Sequence, residues 1–248
     1  MTKTMWLQGT RLALVLAVAG AALAPATASA QITRVSRSEP RQAVVFNIGY
    51  FSLRSLDSRG DDDTLVLGLP PLTAEVGDLS GATFGGEYLF GVSDYLEGGI
   101  GVGFHQRSVA SIYRNVTYPG GAEIAQDLKL RTAPFTATIR FLPIGRGSVE
   151  PYVGGGLALV NWRYSEIGDF VDFSDDSIFP GRYIADGNTL GAVLLGGVRG
   201  VVGDVWTVGG ELRYLRAEGD TDAVNTGFLG DKIDLGGWSA NFTFGIRF

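Results

Sequence analysis

The sequence predicts an all-β chain that folds as an eight-stranded antiparallel up-and-down transmembrane β-barrel. Large apolar residues alternate with small or polar residues, at a period of two, in eight separate segments. Glycine supplies 37 of the 248 residues, about twice its usual share of ~7%, and such a density weakens helices. After residue 30, no stretch approaches the ~20 apolar residues that a helical membrane span needs. A membrane-bound form of this chain must therefore cross with strands.

The eight segments each place their large apolar residues on one face. In the first four segments, these residues are Val44, Phe46, Ile48 and Tyr50; Phe84, Tyr88 and Phe90; Leu96, Ile100, Val102 and Phe104; and Phe135, Ala137, Ile139 and Phe141. In the last four, they are Val153, Leu157 and Leu159; Leu190, Ala192, Leu194 and Val198; Trp206, Val208, Leu212 and Tyr214; and Trp238, Phe242, Phe244, Ile246 and Phe248. We expect the eighth strand to begin near Ile233, and eight is the smallest usual barrel count.

The connections between these segments alternate between short and long. Short turns are expected near 91–94, 144–147 and 203–204, and long loops near 55–80, 109–126, 165–188 and 217–232. Membrane barrels have short turns on the periplasmic side and longer loops outside. The alternation therefore predicts that both ends of the barrel domain are periplasmic.

The opposite faces of the segments decide between a membrane barrel and a soluble one. Soluble antiparallel barrels also alternate, but their apolar face turns inward and their exterior is charged. Here the residues opposite the apolar face are mainly Gly, Thr and Asn with a few charges, too sparsely polar to coat a soluble exterior. We therefore expect the apolar face to contact lipid.

The N-terminus has the pattern of a secretory signal peptide over residues 1–30. Lys3 and Arg11 supply positive charge, an apolar run follows from Leu12 to Leu23, and a small-residue cleavage site ends at Ala30. We expect the mature chain to begin near Gln31, with a short periplasmic tail over 31–41 and the barrel domain over 42–248.

Charge and cysteine content exclude several functional classes. The formal net charge is −6 and becomes more negative once Lys3 and Arg11 are removed, so nucleic acid is not an expected partner. The chain has no cysteine, which excludes disulfides, cysteine-ligated metals and thiol catalysis.

Two segments resemble those of a known group of proteins: Glu150-Pro-Tyr-Val-Gly-Gly-Gly-Leu157 and the terminal Phe242-Thr-Phe-Gly-Ile-Arg-Phe248. With them, about residues 42–248 resemble the small bacterial outer-membrane β-barrel superfamily that includes the OmpA, OmpX and OmpW types. The resemblance implies a monomer in the cell outer membrane, with outer-membrane lipid as a partner. It also implies that the barrel-assembly machinery recognises the C-terminal strand through an assembly signal formed by Phe242, Phe244, Ile246 and Phe248.

The inward-facing positions carry equal numbers of acidic and basic residues. An unpaired charge in a tight interior is costly, so the balance predicts an ion-pair network across the lumen. Its predicted members are Glu87, Glu97, Glu150, Glu211, Arg140, Arg199, Arg213 and Arg247. Because an eight-stranded barrel holds only its own side chains or one small ligand, we expect a largely filled interior.

These observations favour a structural barrel or a narrow channel for small or apolar solutes. In OmpW-like relatives, a hydrophobic pocket takes apolar molecules and releases them sideways into the membrane. By resemblance, Val193, Leu195 and Leu215 would line such a pocket here. Simple packing beside the inward glycines is the alternative interpretation.

An enzyme is not expected. Barrel lipid A deacylases use a His/Ser pair with a carboxylate, but His105-Gln-Arg-Ser108 places Ser108 on the opposite face from His105. No G-x-S-x-G motif is present either. The prediction therefore includes no catalytic residue, no cofactor and no metal.

The long loops are acidic, which suggests surface adhesion or interaction as a competing function. The acidic residues are Asp61, Asp62, Asp63, Asp169, Asp172, Asp175, Asp176, Glu218, Asp220, Asp222, Asp231 and Asp234. No EF-hand spacing is present, so solvated, mobile loops are expected rather than a calcium site.

Two basic residues conflict with the lipid-facing pattern. Lys129 and Arg131 lie an even number of residues from Phe135, so all three point to the same face of the strand. A charged side chain on that face at mid-bilayer would cost roughly 2–4 kcal/mol of stability. Either both side chains lie at the membrane interface, which we favour, or a bulge at Pro134 resets the strand faces.

Overall fold

The computed structural model describes residues 41–203 and 205–248. The predicted signal peptide, and all of the predicted tail except Arg41, lie outside the described residues. None of the described helices has the length and apolar character to cross a membrane.

Most of the described chain is strand. The strands are β1 (Gln42–Leu53), β2 (Gly81–Gly91), β3 (Leu96–Thr117), β4 (Glu123–Phe141), β5 (Val149–Asp172), β6 (Ser177–Val202), β7 (Trp206–Asp220), β8 (Lys232–Asp234) and β9 (Gly237–Arg247). Two short α-helices, α1 (Thr64–Gly68) and α2 (Ala223–Thr226), and two 3₁₀ turns, Leu56–Ser58 and Val76–Leu79, lie in the connections.

Eight strands close into an antiparallel ring, which confirms the predicted fold class. Each strand pairs with its sequence neighbour, and β1 closes the ring against β9. β8 pairs only with the loop-side end of β7, so the terminal strand does not run unbroken from Ile233 as predicted. The chain bends at Gly236, where a Cβ atom would lie 2.9 Å from the Leu215 carbonyl oxygen.

The outward face of the ring is apolar, and its residues are those predicted from the alternation. Leu190 is 75% exposed and Leu157 is 66% exposed. Soluble proteins rarely expose large apolar side chains to this extent around their whole circumference. On β5, the outward residues are apolar or small from Val149 to Leu159, within the ~9–11 residues that a tilted membrane strand needs. We call this outward surface the apolar belt.

Two of the predicted long loops are instead strand. Pairing of β3 with β4 continues to Thr117 and Glu123, and pairing of β5 with β6 continues to Asp172 and Ser177. The predicted loops at 109–126 and 165–188 are therefore wrong. These hairpins continue as paired strands beyond the apolar belt. Strand pairing satisfies the hydrogen bonds of their backbone groups there as it does within the belt.

The connection between β1 and β2 folds inward and covers the loop-side end of the barrel. We call residues 54–80 the loop plug. Its Leu65, Leu69, Leu72 and Leu79 are buried against strand residues. A solvated, mobile loop was expected here, and for Asp63 that expectation is wrong: its Oδ1 accepts a hydrogen bond of 2.8 Å from the Leu65 amide and caps α1.

The interior changes character along the barrel. Its turn-side half holds the predicted charged residues of the lumen, whereas its loop-side half is mainly a hydrophobic core that includes Trp162 and Tyr164. A few charged residues, such as Asp63 and Glu166, are also buried in the loop-side part. The loop-side half is apolar because the loop plug packs into it and excludes water.

Pro134 does not reset the faces of β4. The pairs Val102–Phe135 and His105–Thr132 keep one register, and the irregularity of this hairpin lies between Ile112 and Thr117. The alternative of a bulge at Pro134 is therefore wrong. Lys129 and Arg131 face outward, beyond the loop-side edge of the apolar belt.

Candidate functional site

The charged residues of the lumen come from facing positions on neighbouring strands. Glu97 on β3 lies directly opposite Arg140 on β4, and Glu150 on β5 lies directly opposite Arg199 on β6. Because side chains alternate along a strand, these partners all point inward at the same end of the barrel.

One half of this network joins two glutamates to two arginines. Arg140 contacts Glu87, and its Nη2 lies 3.1 Å from Glu211 Oε2. Arg213 Nη2 lies 3.1 Å from Glu87 Oε2 and 2.8 Å from Glu211 Oε1. Thr138 also donates a hydrogen bond of 2.9 Å to Glu87 Oε1. Each carboxylate is therefore shared between two guanidinium groups.

The other half centres on Arg199. Its Nη1 and Nη2 donate to the two oxygens of Glu97 at 2.9 and 2.7 Å, and its Nε donates to Glu150 at 2.6 Å. Arg247 Nη1 lies 3.5 Å from Glu150 Oε1. Arg140 Nη1, 3.9 Å from Glu97 Oε1, links the two halves. All eight residues predicted for the lumen thus lie in one connected network.

Three further members were not predicted from the sequence. Arg146 lies in a short turn, where strand parity gives no signal, and its Nη2 is 3.4 Å from Glu97 Oε2. The second is Thr138, through its hydrogen bond to Glu87. The third is Tyr152, which donates a hydrogen bond of 3.1 Å to Glu211, and the Arg140 guanidinium lies 4.9 Å from its ring centroid.

A cavity of about 60 Å³ lies between the network and the hydrophobic core. It is large enough for a few water molecules and too small for a drug-sized ligand. Val193 and Leu215 line it, and both belong to the hydrophobic core together with Leu195, which does not line it. Asn241 also lines it, and its Oδ1 is buried with no hydrogen-bond partner among residues 41–203 and 205–248.

His105 joins the barrel wall to the loop plug. Its Nδ1 lies 3.0 Å from the Ala82 carbonyl oxygen, and its Nε2 lies 3.0 Å from the Leu79 carbonyl oxygen. Both ring nitrogens are thus occupied by backbone. Ser108 lies on the outer surface, as predicted from its parity.

The wall beside the cavity has a seam between β3 and β4. Their pairing stops at Val102–Phe135 and resumes at His105–Thr132. Within this gap, Pro134 has no backbone N–H, and a Cβ atom at Gly103 would lie 3.2 Å from its ring. Gly103 and Pro134 both line the cavity, so the interrupted pairing lies at the cavity wall.

Three residues of the predicted assembly signal, Phe242, Phe244 and Ile246, lie on the outward face of β9, and Phe248 directly follows its last residue. Phe242, Phe244 and Phe248 are exposed, and Ile246 is partly covered. β9 pairs with β1 on one side and with β7 on the other. Its apolar side chains therefore point outward from a strand that is paired on both edges.

The described part of the chain contains no cluster of three or more His, Asp or Glu side chains that could hold a metal ion. Of the acidic loop residues, Asp234 is buried, and its Oδ2 accepts a hydrogen bond of 2.8 Å from Arg54. Asp61, Asp62 and Asp231 remain exposed.

The sequence matches no protein-family model and no curated protein. Similar solved structures include neisserial surface protein A (12% identity, TM-score 0.45, covering 84% of this chain and 96% of that one). Outer membrane protein OprG of Pseudomonas aeruginosa has 12% identity, a TM-score of 0.42, and coverage of 85% and 97%. The attachment invasion locus protein Ail of Yersinia pestis has 11% identity, a TM-score of 0.40, and coverage of 85% and 100%. The barrel assignment itself rests on the strand pairing.

Proposed function

We propose that this protein is an integral outer-membrane β-barrel that is closed at rest and acts as a structural barrel or a narrow, gated conduit for small solutes. One observation supports the proposal. The apolar belt surrounds an interior that is blocked by the ion-pair network at one end and by the loop plug at the other. A wide, permanently open porin would need an interior free of both closures.

Leu194→Arg tests whether the apolar belt faces lipid. Leu194 is 63% exposed in the middle of the β6 part of the belt, so in water an arginine there would change stability little. In a bilayer, we expect the free energy of unfolding to fall by roughly 2–4 kcal/mol. Urea unfolding in lipid vesicles measures the change.

The matched control for Leu194→Arg is Asn188→Arg. Asn188 is exposed on the same strand and the same face, just beyond the belt. This second variant should unfold like the wild type, because arginine is tolerated at the interface. Equal stabilities for both variants would contradict a lipid-facing belt.

We also propose lateral exchange of small apolar molecules as a second candidate function, because the seam between β3 and β4 adjoins the cavity. The interrupted pairing at Pro134 leaves these two strands less tightly joined at that level. The resting cavity is small, so a guest larger than water requires Leu79 and the loop plug to move away from His105.

Cysteines placed at Gly103 and Pro134 test the seam in a chain that has no other cysteine. Oxidation would join β3 to β4 across the gap, and we expect it to slow toluene entry into intact cells carrying the barrel, with recovery on reduction. The control pair is Gly101 and Thr136, which face each other one inward position away. Equal entry rates in the oxidised and reduced forms of the seam pair would contradict lateral exchange.

The proposal also covers the orientation of the barrel, its oligomeric state and its contacts with lipid. Both ends of the barrel domain would be periplasmic, and the barrel would be a monomer in outer-membrane lipid. Lys129, Arg131 and Arg163 lie outward just beyond the apolar belt, where lipid phosphates would meet them. The outward aromatic residues of β9 support recognition by the barrel-assembly machinery.

Catalysis does not belong to the proposal, because His105 is held by two backbone carbonyls and Ser108 lies outside the lumen. Surface adhesion or interaction is the competing function, and it would use exposed carboxylates such as Asp61 and Asp62. Deleting the exposed tips of the loops and finding unchanged cell binding would count against adhesion.

A further inference from the structure

A second cavity, of about 320 Å³, lies at the loop end of the barrel, away from the ion-pair network. It is enclosed by the extended parts of β3 to β6, by α1 and by the segment after α2. Its volume falls at the lower end of the range for small-molecule sites. Six of its lining residues are aromatic: Tyr113, Phe170, Phe173, Phe179, Tyr183 and Phe228.

The charged residues that line this aromatic pocket are all acidic. Glu166 and Asp172 line it, and the described residues place no Lys, Arg or His in its wall. Asp172 is exposed at the rim, whereas Glu166 is only 8% exposed. The charged side chains of the wall would therefore attract a cation rather than an anion.

Glu166 is a buried carboxylate without a cationic partner. Its Oε1 accepts a hydrogen bond of 2.7 Å from the Tyr164 hydroxyl, and no lysine or arginine forms an ion pair with it among the described residues. Burial raises the pKa of Glu166, and the hydrogen bond from Tyr164 opposes that rise. A buried charge normally has a counter-charge, so Glu166 suits a ligand that brings a positive charge.

Gln126 supplies an acceptor oxygen without a hydrogen-bond donor. Its side chain is 4% exposed, and its Nε2 donates a hydrogen bond of 2.9 Å to the Tyr113 hydroxyl oxygen. Its Oε1 is buried and has no partner in the described part of the chain. Buried polar atoms are rarely left unpaired, so this oxygen also indicates a ligand with N–H or O–H donors.

The aromatic rings of the pocket pack against one another. Phe170 meets Tyr183 edge to face at 4.7 Å between centroids, and it stacks on Phe179 at 6.1 Å. Ring faces attract cations, and cages of such rings bind ammonium groups. The same rings give an apolar body a surface to contact.

We propose that the aromatic pocket binds a small organic ammonium ion with an apolar body. The ammonium group would lie beside Glu166 and donate to Gln126 Oε1, while the apolar body would contact rings such as Phe170 and Phe179. A bare metal ion fits less well, because most of the wall is aromatic carbon rather than oxygen. The site is separate from the lumen network and does not depend on the proposed conduit.

Isothermal titration calorimetry on the full-length barrel, purified in a neutral detergent, tests this proposal with 2-phenylethylamine, which is protonated at pH 7. The neutral comparison is 2-phenylethanol, which has a similar size and a hydroxyl in place of the ammonium. We expect the amine to bind at one site and the alcohol to bind at least about tenfold more weakly.

Variants assign the binding to the pocket. Glu166→Gln keeps the shape and removes the charge, so amine affinity should fall by at least about tenfold. Asp61→Asn removes one exposed carboxylate outside the pocket and should leave affinity unchanged. Phe179→Leu removes one ring and should weaken binding roughly two- to fivefold.

Three results would overturn the proposal: no heat at millimolar amine, equal affinities for amine and alcohol, or equal effects of Glu166→Gln and Asp61→Asn. Heat-modifiable gel mobility checks that each variant is folded. If Glu166→Gln does not fold, the amine and alcohol comparison on the wild type and the Phe179→Leu variant still decide the outcome.

Discussion

Arg199→Ala is expected to lower the free energy of unfolding by about 3–5 kcal/mol. The substitution leaves Glu97 without its bidentate partner and removes the 2.6 Å contact to Glu150, while both carboxylates stay buried. Glu97 keeps Arg146 and Arg140 at 3.4 and 3.9 Å, and Glu150 keeps Arg247 at 3.5 Å, so each buried carboxylate loses its shortest contact with a counter-charge. Urea unfolding in lipid vesicles, followed by tryptophan fluorescence, measures the loss.

Arg163→Ala is the matched control for Arg199→Ala. Arg163 also pairs with a carboxylate, Asp186 at 3.6 Å, but both side chains are more than half exposed. We expect a change within about 1 kcal/mol, as for other exposed ion pairs. If the two arginine variants were equally stable, the lumen network would not hold the barrel together as described.

Leu72→Asp should release the loop plug while the barrel stays folded. Leu72 is 1% exposed in the core between the plug and the strands, and its backbone pairs with Tyr113. A carboxylate placed there would be buried without a partner, a cost of several kcal/mol that the plug avoids by leaving the core. Limited proteolysis should then cleave within residues 54–80 and leave the strands intact.

Leu67→Asp is the comparison for the plug variant. Leu67 lies in α1 of the same segment but is 40% exposed, so its replacement should leave the plug as resistant to protease as in the wild type. Resistance of Leu72→Asp to cleavage would show that the plug is not held by its buried leucines.

The strand faces and the members of the lumen network could be predicted from the sequence, because both follow from the two-residue period of side-chain direction along a strand. Once Phe135 and Ile139 are placed outward, Thr138 and Arg140 must point inward, and the facing strand supplies Glu97. The same rule placed His105 inside the barrel and Ser108 outside. Local alternation, with no tertiary information, determined these positions.

Features that depend on contacts between distant segments were not accessible in this way. The loop plug is held by leucines whose partners lie far away in sequence, so its acidic residues suggested a solvated loop instead. The extended β5–β6 hairpin looked like a loop because only the membrane-spanning part carries the strict apolar alternation. The aromatic pocket combines residues from four strands and three connections, which no local pattern brings together.

Single-channel recording from the full-length barrel in planar bilayers tests most directly whether the lumen is closed at rest. Heat-modifiable mobility confirms folding beforehand, and a known porin added at the end shows that the membrane registers channels. We predict no discrete conductance steps from the wild type, and none from Leu72→Asp, because the ion-pair network below the plug stays intact. Discrete steps from the folded wild-type protein would contradict a lumen closed by the network and the loop plug.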